Sequence, residues 1–360
     1  MHPGSENSVE TRTSAEWAVD PEPLVTIGEM DGDPAYIFAR VVGVRLLPDG
    51  CIVVGDGSSG TLRVYGPDGR YEREMGGRGQ GPGEFTYLSS LSIAPPDTIA
   101  AYDSGALRLT KFLATGELVS TQRFHASGGY PEVYIVTYSD GSHALAWIKQ
   151  VPRDRSVVTP DVMELGRFGG DGRLSAVLAR AAGMRRLGSP LPFSAHFLAA
   201  MLGDTVFHTD GLGGTVEALG PTGEPVRTLH LPIDGWEFEE ARRRLEPELD
   251  TAAVRQLRQL EDVPSLDSIP AIAELLADGE GRLWMKRYAP STDSHWVGRR
   301  RSDGEWFVVE SDGTLVARVP IPAGLRLVEV RGDRIAGIAR DDLGVERVQV
   351  YALVRGEPAL

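Results

Sequence analysis

Short apolar stretches punctuated by turn residues recur along this chain, and their order repeats. Residues 44–69 read VRLLPDGCIVVGDGSSGTLRVYGPDG, and residues 91–116 read LSIAPPDTIAAYDSGALRLTKFLATG. Each passes through an apolar run, a turn, a second run reaching an Asp, another turn, a third run and a closing glycine. Leu62 and Val64, like Leu107 and Leu109, alternate with polar neighbours at the two-residue period of a strand. Asp-Gly and Thr-Gly pairs supply the positive φ that tight hairpins need. The closing glycines Gly69 and Gly116 set a period of about 47 residues, the length of a four-stranded blade. Looser copies occupy residues 133–180, 197–223, 272–313 and 326–351, which makes six units. A four-stranded sheet cannot bury both of its faces alone, whereas six standing in a circle cover one another. The pattern predicts an all-β fold, a six-bladed β-propeller of four-stranded antiparallel blades, in one domain over residues 17–356.

Two segments break the rhythm. Residues 236–262 are charge-rich and helix-favouring, with Ala253, Leu257 and Leu260 on one stripe. They predict a small helical insertion between the fourth and fifth blades, split by Pro247. Trp17–Gly28 has a short strand pattern and is expected to pair with the last blade, closing the ring. Residues 1–16 read as a polar leader, either disordered or the start of a processed chain; they lack the apolar core of a signal peptide.

Composition narrows the partners more than the chemistry. The net charge of −14 repels phosphate backbones, so nucleic-acid binding is not expected. Arg185–Arg186 and Arg299–Arg301 read as solvated loop residues. No apolar run is long enough for a transmembrane helix. The single cysteine, Cys51, lies in an apolar run and reads as a buried small hydrophobe, so no disulfide forms within the chain. A monomer is expected. The compartment is not fixed by these features; an extracytoplasmic setting is the expectation.

The stretch Gly76-Gly-Arg-Gly-Gln-Gly-Pro-Gly-Glu-Phe85 resembles the glycine-rich crossing between consecutive NHL repeats, with Gly79, Gly81, Gly83 and Phe85 matching. Leu46-Leu-Pro-Asp-Gly-Cys-Ile-Val-Val-Gly-Asp56 followed by Leu62-Arg-Val-Tyr65 is similar to an NHL unit. With Tyr36-Ile-Phe-Ala-Arg-Val-Val-Gly43, the region around residues 24–124 resembles bacterial six-bladed propellers of mostly uncharacterised role. The resemblance implies a fold and leaves the activity open. RNA-binding members carry a basic top surface, and this chain is acidic. Zinc-dependent lyase members hold the metal with a histidine set that has no match here. Calcium-binding lactonase-like members use acidic and amide ligands, and the only asparagine here is Asn7.

The implied topology puts the turn after each second strand on one face, around the mouth of the channel. Asp56, Asp103, Asp210 and Asp341 then recur on that face. Two readings stand: Asp56, Asp103 and Asp210 as ligands of a calcium ion, or each Asp as the cap of its own turn. Tyr36 and Phe38, Phe85 and Tyr87, Tyr130 and Tyr134, and Phe193 form either an aromatic platform or wedges between blades. His196 opens an inner strand and is a candidate for the channel or for a structural role. Arg40 and Arg287 beside the Asp set suit a zwitterionic or carboxylate ligand. No H-E-x-x-H, no G-x-S-x-G and no P-loop ending occurs. The sequence therefore predicts a non-catalytic propeller that presents a top-face pocket to a protein, peptide or glycan, with no required cofactor. The ligand candidates are Tyr36, Arg40, Asp56, Tyr87, Asp103, His196, Asp210 and Arg287. The alternative is a cation-dependent hydrolase or lyase with its site at the channel mouth.

Overall fold

The structure is a computed structural model. It describes residues 15–94, 98–125, 130–150, 158–187, 189–191, 193–194, 197–231, 233, 235–248, 254, 269–290 and 304–356, with backbone alone for 7–8, 130–134, 150, 187, 189–190 and 248. The short apolar runs are strands, and hairpins link them into antiparallel ladders. Blade 1 is Val41–Leu46, Ile52–Asp56, Thr61–Tyr65 and Tyr71–Gly76. Blade 2 is Leu88–Ala94, Thr98–Asp103, Arg108–Phe112 and Leu118–Arg123. Blade 3 is Tyr130–Thr137, His143–Gln150, Thr159–Phe168 and Leu174–Leu187, with Ser189–Pro190 added at its edge. Blade 4 is Leu198–Leu202, Thr205–Thr209, Thr215–Leu219 and Pro225–His230. Blade 5 is Ile272–Ala277, Arg282–Arg287, Glu305–Glu310 and Leu315–Pro320. Blade 6 is Leu325–Arg331, Arg334–Arg340 and Glu346–Arg355, completed by Val25–Ile27 from the other end of the chain.

Closure uses two pieces of that early segment. Val25–Ile27 pairs antiparallel with Val348–Val350. Ala15–Val19 lies between blades 5 and 6: Ala15 and Glu16 run parallel to Ala317 and Arg318, while Trp17–Val19 pair with Leu353–Arg355. The hydrogen bonding therefore differs from six separate sheets. Blades 5 and 6 fuse through Ala15–Val19 into one nine-stranded sheet, giving five sheets in all. The closing segment begins at Ala15, two residues before the expected Trp17. Asn7–Ser8, within the expected leader, runs parallel to Leu229–His230 at the edge of blade 4.

Apolar burial explains the circle. A separate core cluster fills each of the six blade-to-blade interfaces. Val54 and Ile52 meet Ile338 and Val348 between blades 1 and 6, and Val53 and Val64 meet Ile99 and Phe112 between blades 1 and 2. The remaining interfaces are filled in the same way, ending with Trp284, Trp306, Ile335 and Tyr351 between blades 5 and 6. Each fully buried side chain of this kind contributes about 1.5–3 kcal/mol. One strand thus buries residues of both faces, which is why Ile52–Asp56 and Thr98–Asp103 are buried throughout.

The described part of the helical insertion contains an α-helix, Phe238–Leu245, followed by a 3-10 turn at Glu246–Glu248 that contains Pro247. Phe238, Ala241 and Leu245 pack on Leu191, Phe193, Ile269 and Tyr288, so the helix lies down over blades 4 and 5. The second expected helical stretch, with Ala253, Leu257 and Leu260, falls outside the described residues. Among the described residues no helix is long and apolar enough to cross a membrane.

Candidate functional site

The glycine-rich crossing into blade 2 shows how the turn aspartates are used. Gly76 and Gly83 adopt positive φ, and the segment folds around the guanidinium of Arg108. Arg108 donates to the carbonyls of Gln80 and Gly81, at 3.0 and 3.3 Å, and of Glu84. Asp103, fully buried, accepts from the amides of Thr86 and Tyr87 in the crossing, at 2.7 and 2.9 Å. It also accepts from Gly105 and Ala106 in its own turn, both at 3.0 Å, and lies 3.7 Å from Arg108. Blade 1 repeats the arrangement. Asp56 accepts from the Ser58 amide at 2.9 Å and the Ser59 hydroxyl at 3.1 Å, and stands 3.5 Å from Arg63. Arg63 in turn donates to the Ile37 carbonyl at 2.7 Å. Asp210 accepts from Leu212 at 3.0 Å, and Asp341 from Val345 at 2.9 Å. The carboxylates serve their own turns and crossings. Among the described residues no three His, Cys, Asp or Glu side chains gather as a metal site, so Asp56, Asp103 and Asp210 are not brought together.

The other top-face candidates disperse as well. Tyr36 is half-buried near the rim, its ring 5.8 Å from Tyr65 and its hydroxyl accepting from the Tyr71 amide at 2.9 Å. Phe38, Phe85 and Phe193 are buried wedges in cluster cores. Tyr87 is exposed, with Arg40 stacked 4.4 Å over its ring. Arg40 also donates to the carbonyls of Gly57 and Leu88, at 2.9 and 3.0 Å, which ties blade 1 to blade 2. Arg287 is exposed on blade 5, 6.0 Å from the Trp236 ring. His196 and the side chains of Tyr130 and Tyr134 lie outside the described residues.

What all six blades do share is the central channel. A cavity of about 550 Å³ is lined by residues of every innermost strand. Register bulges interrupt these strands at Val41/Gly43, Leu88/Ser90, Ile272/Glu274 and Leu327/Glu329. They turn side chains inward that strict alternation would place elsewhere. The walls differ in chemistry. Blades 5, 6 and 1 bring Glu274, Asp278, Arg326, Glu329, Arg331 and Arg45 to the lining, whereas the described lining of blades 2 to 4 is Ser90, Ser92, Thr137 and small or apolar residues such as Ile93, Val136 and Met201.

The charged wall is partly neutralised. Asp278 accepts from the Trp284 indole at 3.1 Å and from the Glu280 and Arg282 amides at 2.8 and 2.9 Å. Glu274 meets the buried Lys286 at 3.1 Å. Glu329 stands 3.6 Å from Arg45 and 4.0 Å from Arg331. Burial pushes the Glu329 carboxyl above the usual carboxylate range, against the pull of the two arginines. Arg45 is oriented by the Val44 and Val328 carbonyls at 2.7 and 3.1 Å. Among the described residues the buried Nε of Arg331 has no hydrogen-bond partner. Arg331 pairs with Arg334 across the tight hairpin, whereas Asp56 pairs with Val41 at the strand's beginning. Arg45, Glu329 and Arg331 therefore lie toward the channel end opposite the turn aspartates.

Ladders of four strands, a cyclic order of inner strands and one shared channel define a β-propeller. A family model described as a 6-bladed β-propeller matches residues 39–147. No curated protein matches. Among solved structures, a duf4221 family member from Bacteroides vulgatus aligns with a TM-score of 0.54 at 7% identity, covering 95% of this chain and 100% of that one. A Bacteroides fragilis protein described as exported aligns with a TM-score of 0.50 at 13% identity, covering 96% and 98%. Virginiamycin B lyase from Staphylococcus aureus aligns with a TM-score of 0.48 at 9% identity, covering 94% and 100%. At these identities the likeness is one of fold.

Proposed function

We propose that this chain is a non-catalytic binding propeller whose ligand sits in the central channel. One observation carries the reading: a cavity of about 550 Å³, of ligand-pocket size, has a charged wall facing an apolar one. That volume suits a small molecule or the end of a peptide or glycan, and excludes a folded protein. The top-face residues support this choice of place, because Asp56, Asp103, Tyr36 and Arg40 already serve turns, crossings and blade junctions. The glycine crossing wrapped on Arg108 supports an NHL-like ancestry within the propellers. An extracytoplasmic, monomeric protein completes the proposal, and fractionation with size-exclusion chromatography checks both.

The test uses N-phenyl-1-naphthylamine, a neutral dye that brightens in apolar cavities. The wild-type protein brightens it saturably, and Ser92→Phe, which fills the channel from blade 2, abolishes the response while keeping the wild-type melting profile. Equal brightening by both proteins rejects the channel as the site. The reading as a cation-dependent hydrolase or lyase is tested by calcium titration in calorimetry, where a stoichiometric heat replaces our reading with that one.

A further inference from the structure

The channel's charges are unevenly matched. Of the three acidic groups on its lining, Asp278 stands 3.7 Å from Arg282 and Glu274 3.1 Å from Lys286, both cations outside the lining. Two arginines, Arg45 and Arg331, then share the lining with one remaining carboxylate, Glu329. Arg45 and Arg331 flank that carboxylate at 3.6 and 4.0 Å, beyond hydrogen-bond length. The Arg331 Nε donor is buried and unpartnered among the described residues, a desolvation cost that an acceptor in the channel would relieve. Two guanidiniums against one carboxylate stand inside a chain of net charge −14, so this positive balance is local to the Arg45–Glu329–Arg331 cluster. Across from it, Ile93, Val136 and Met201 form an apolar surface on blades 2 to 4.

We propose that the channel binds an amphipathic organic anion, its anionic head between Arg45 and Arg331 and its apolar body against Ile93, Val136 and Met201. This rests on the channel reading above and adds the ligand's chemical class. Guanidinium groups suit a planar carboxylate, which accepts paired N–H donors. Glu329 acts as the internal counter-ion that holds the two arginines apart from each other until the ligand's head displaces it. Glu274 and Asp278 line the channel on blade 5 with their own partners in place.

The experiment is calorimetric titration of decanoate, with decanol, decyltrimethylammonium and acetate as matched probes. Wild-type protein binds decanoate at least tenfold more tightly than any of the other three. Arg45→Met and Arg331→Met each weaken decanoate at least tenfold, with circular dichroism showing each variant folded. Arg331→Lys, which keeps the charge, restores part of the loss. Glu329→Gln, which removes the internal competitor, tightens decanoate several-fold; a purely structural Glu329 gives the opposite sign. Equal affinity for decanol or for the cation overturns the anion class and leaves the channel standing, provided Ser92→Phe still blocks the dye. No decanoate heat with wild-type protein, or arginine variants that bind it normally, overturns the proposal outright.

Discussion

Asp103→Ala separates the two meanings of the recurring aspartates. The substitution removes the acceptor of four backbone amides, those of Thr86, Tyr87, Gly105 and Ala106, at 2.7–3.0 Å. It also leaves Arg108, 7% exposed, without the carboxylate 3.7 Å away. Hydrogen bonds to a charged group contribute about 1.5–3 kcal/mol each, but these four share one anion and do not add. The better guide is the cost of removing one partner from a buried pair, about 3–5 kcal/mol. We therefore expect a loss of about 4 kcal/mol, a large part of the 5–15 kcal/mol typical of a folded domain. Asp210→Ala removes one amide acceptor at a half-buried site and is expected to lose about 1 kcal/mol. Urea denaturation in EDTA, followed by tryptophan fluorescence and circular dichroism, reads both midpoints. A loss below about 1 kcal/mol for Asp103→Ala, or equal losses for the two variants, refutes the turn-cap reasoning. So does a wild-type stability that rises with calcium when that of Asp103→Ala does not.

Three further outcomes follow from burial. His143 is fully buried, and desolvation, with Lys111 adding to it, pushes its pKa down to about 4. The unfolded chain binds the proton more readily, so this contribution is complete above the unfolded value of about 6.5 and is lost as pH falls toward 4, up to about 3 kcal/mol. His143→Leu should show a shallower decline of stability between pH 7 and pH 4.5 than wild type, and equal slopes contradict the assignment. Burial likewise pushes the Cys51 thiol up to about 11, so Ellman's reagent should react with it far more slowly in the native protein than in urea. Gly28, at φ +129°, leaves the closing strand with its Cα against blade 6, where an added Cβ meets the Glu346 carbonyl at 2.6 Å. Gly28→Ala should cost at least about 2 kcal/mol, and a neutral midpoint argues against closure by Val25–Ile27.

The fold was legible because each blade carries its own punctuation. Runs such as Cys51–Asp56, set between Asp-Gly turns, could be read without knowing their neighbours. The turn-cap reading of Asp56 and Asp103 was also available, since a carboxylate before Gly or Ser is a local signal. Their arginine partners were missed, although the sequence offers Arg63 and Arg108 in matching third strands. The channel was illegible for a different reason. Arg45 and Val328 are 283 residues apart, and only ring closure brings them into contact. The bulges near Gly43, Ser90, Glu274 and Glu329 add a residue to the inner strands of blades 1, 2, 5 and 6, so the two-residue period cannot say which side chains turn inward there. Sequence reasoning placed the ligand face by the aspartates, whereas the Arg45–Glu329–Arg331 cluster lies toward the opposite end, on residues that were never candidates.

A crystal structure of the protein with decanoate tests the account at its centre. It should show one anion lengthwise in the channel, its carboxylate in hydrogen-bond reach of Arg45 and Arg331 and its tail on the blade 2–4 wall. Decanoate bound on an outer blade edge, or an inner wall closed by packed side chains, would contradict it.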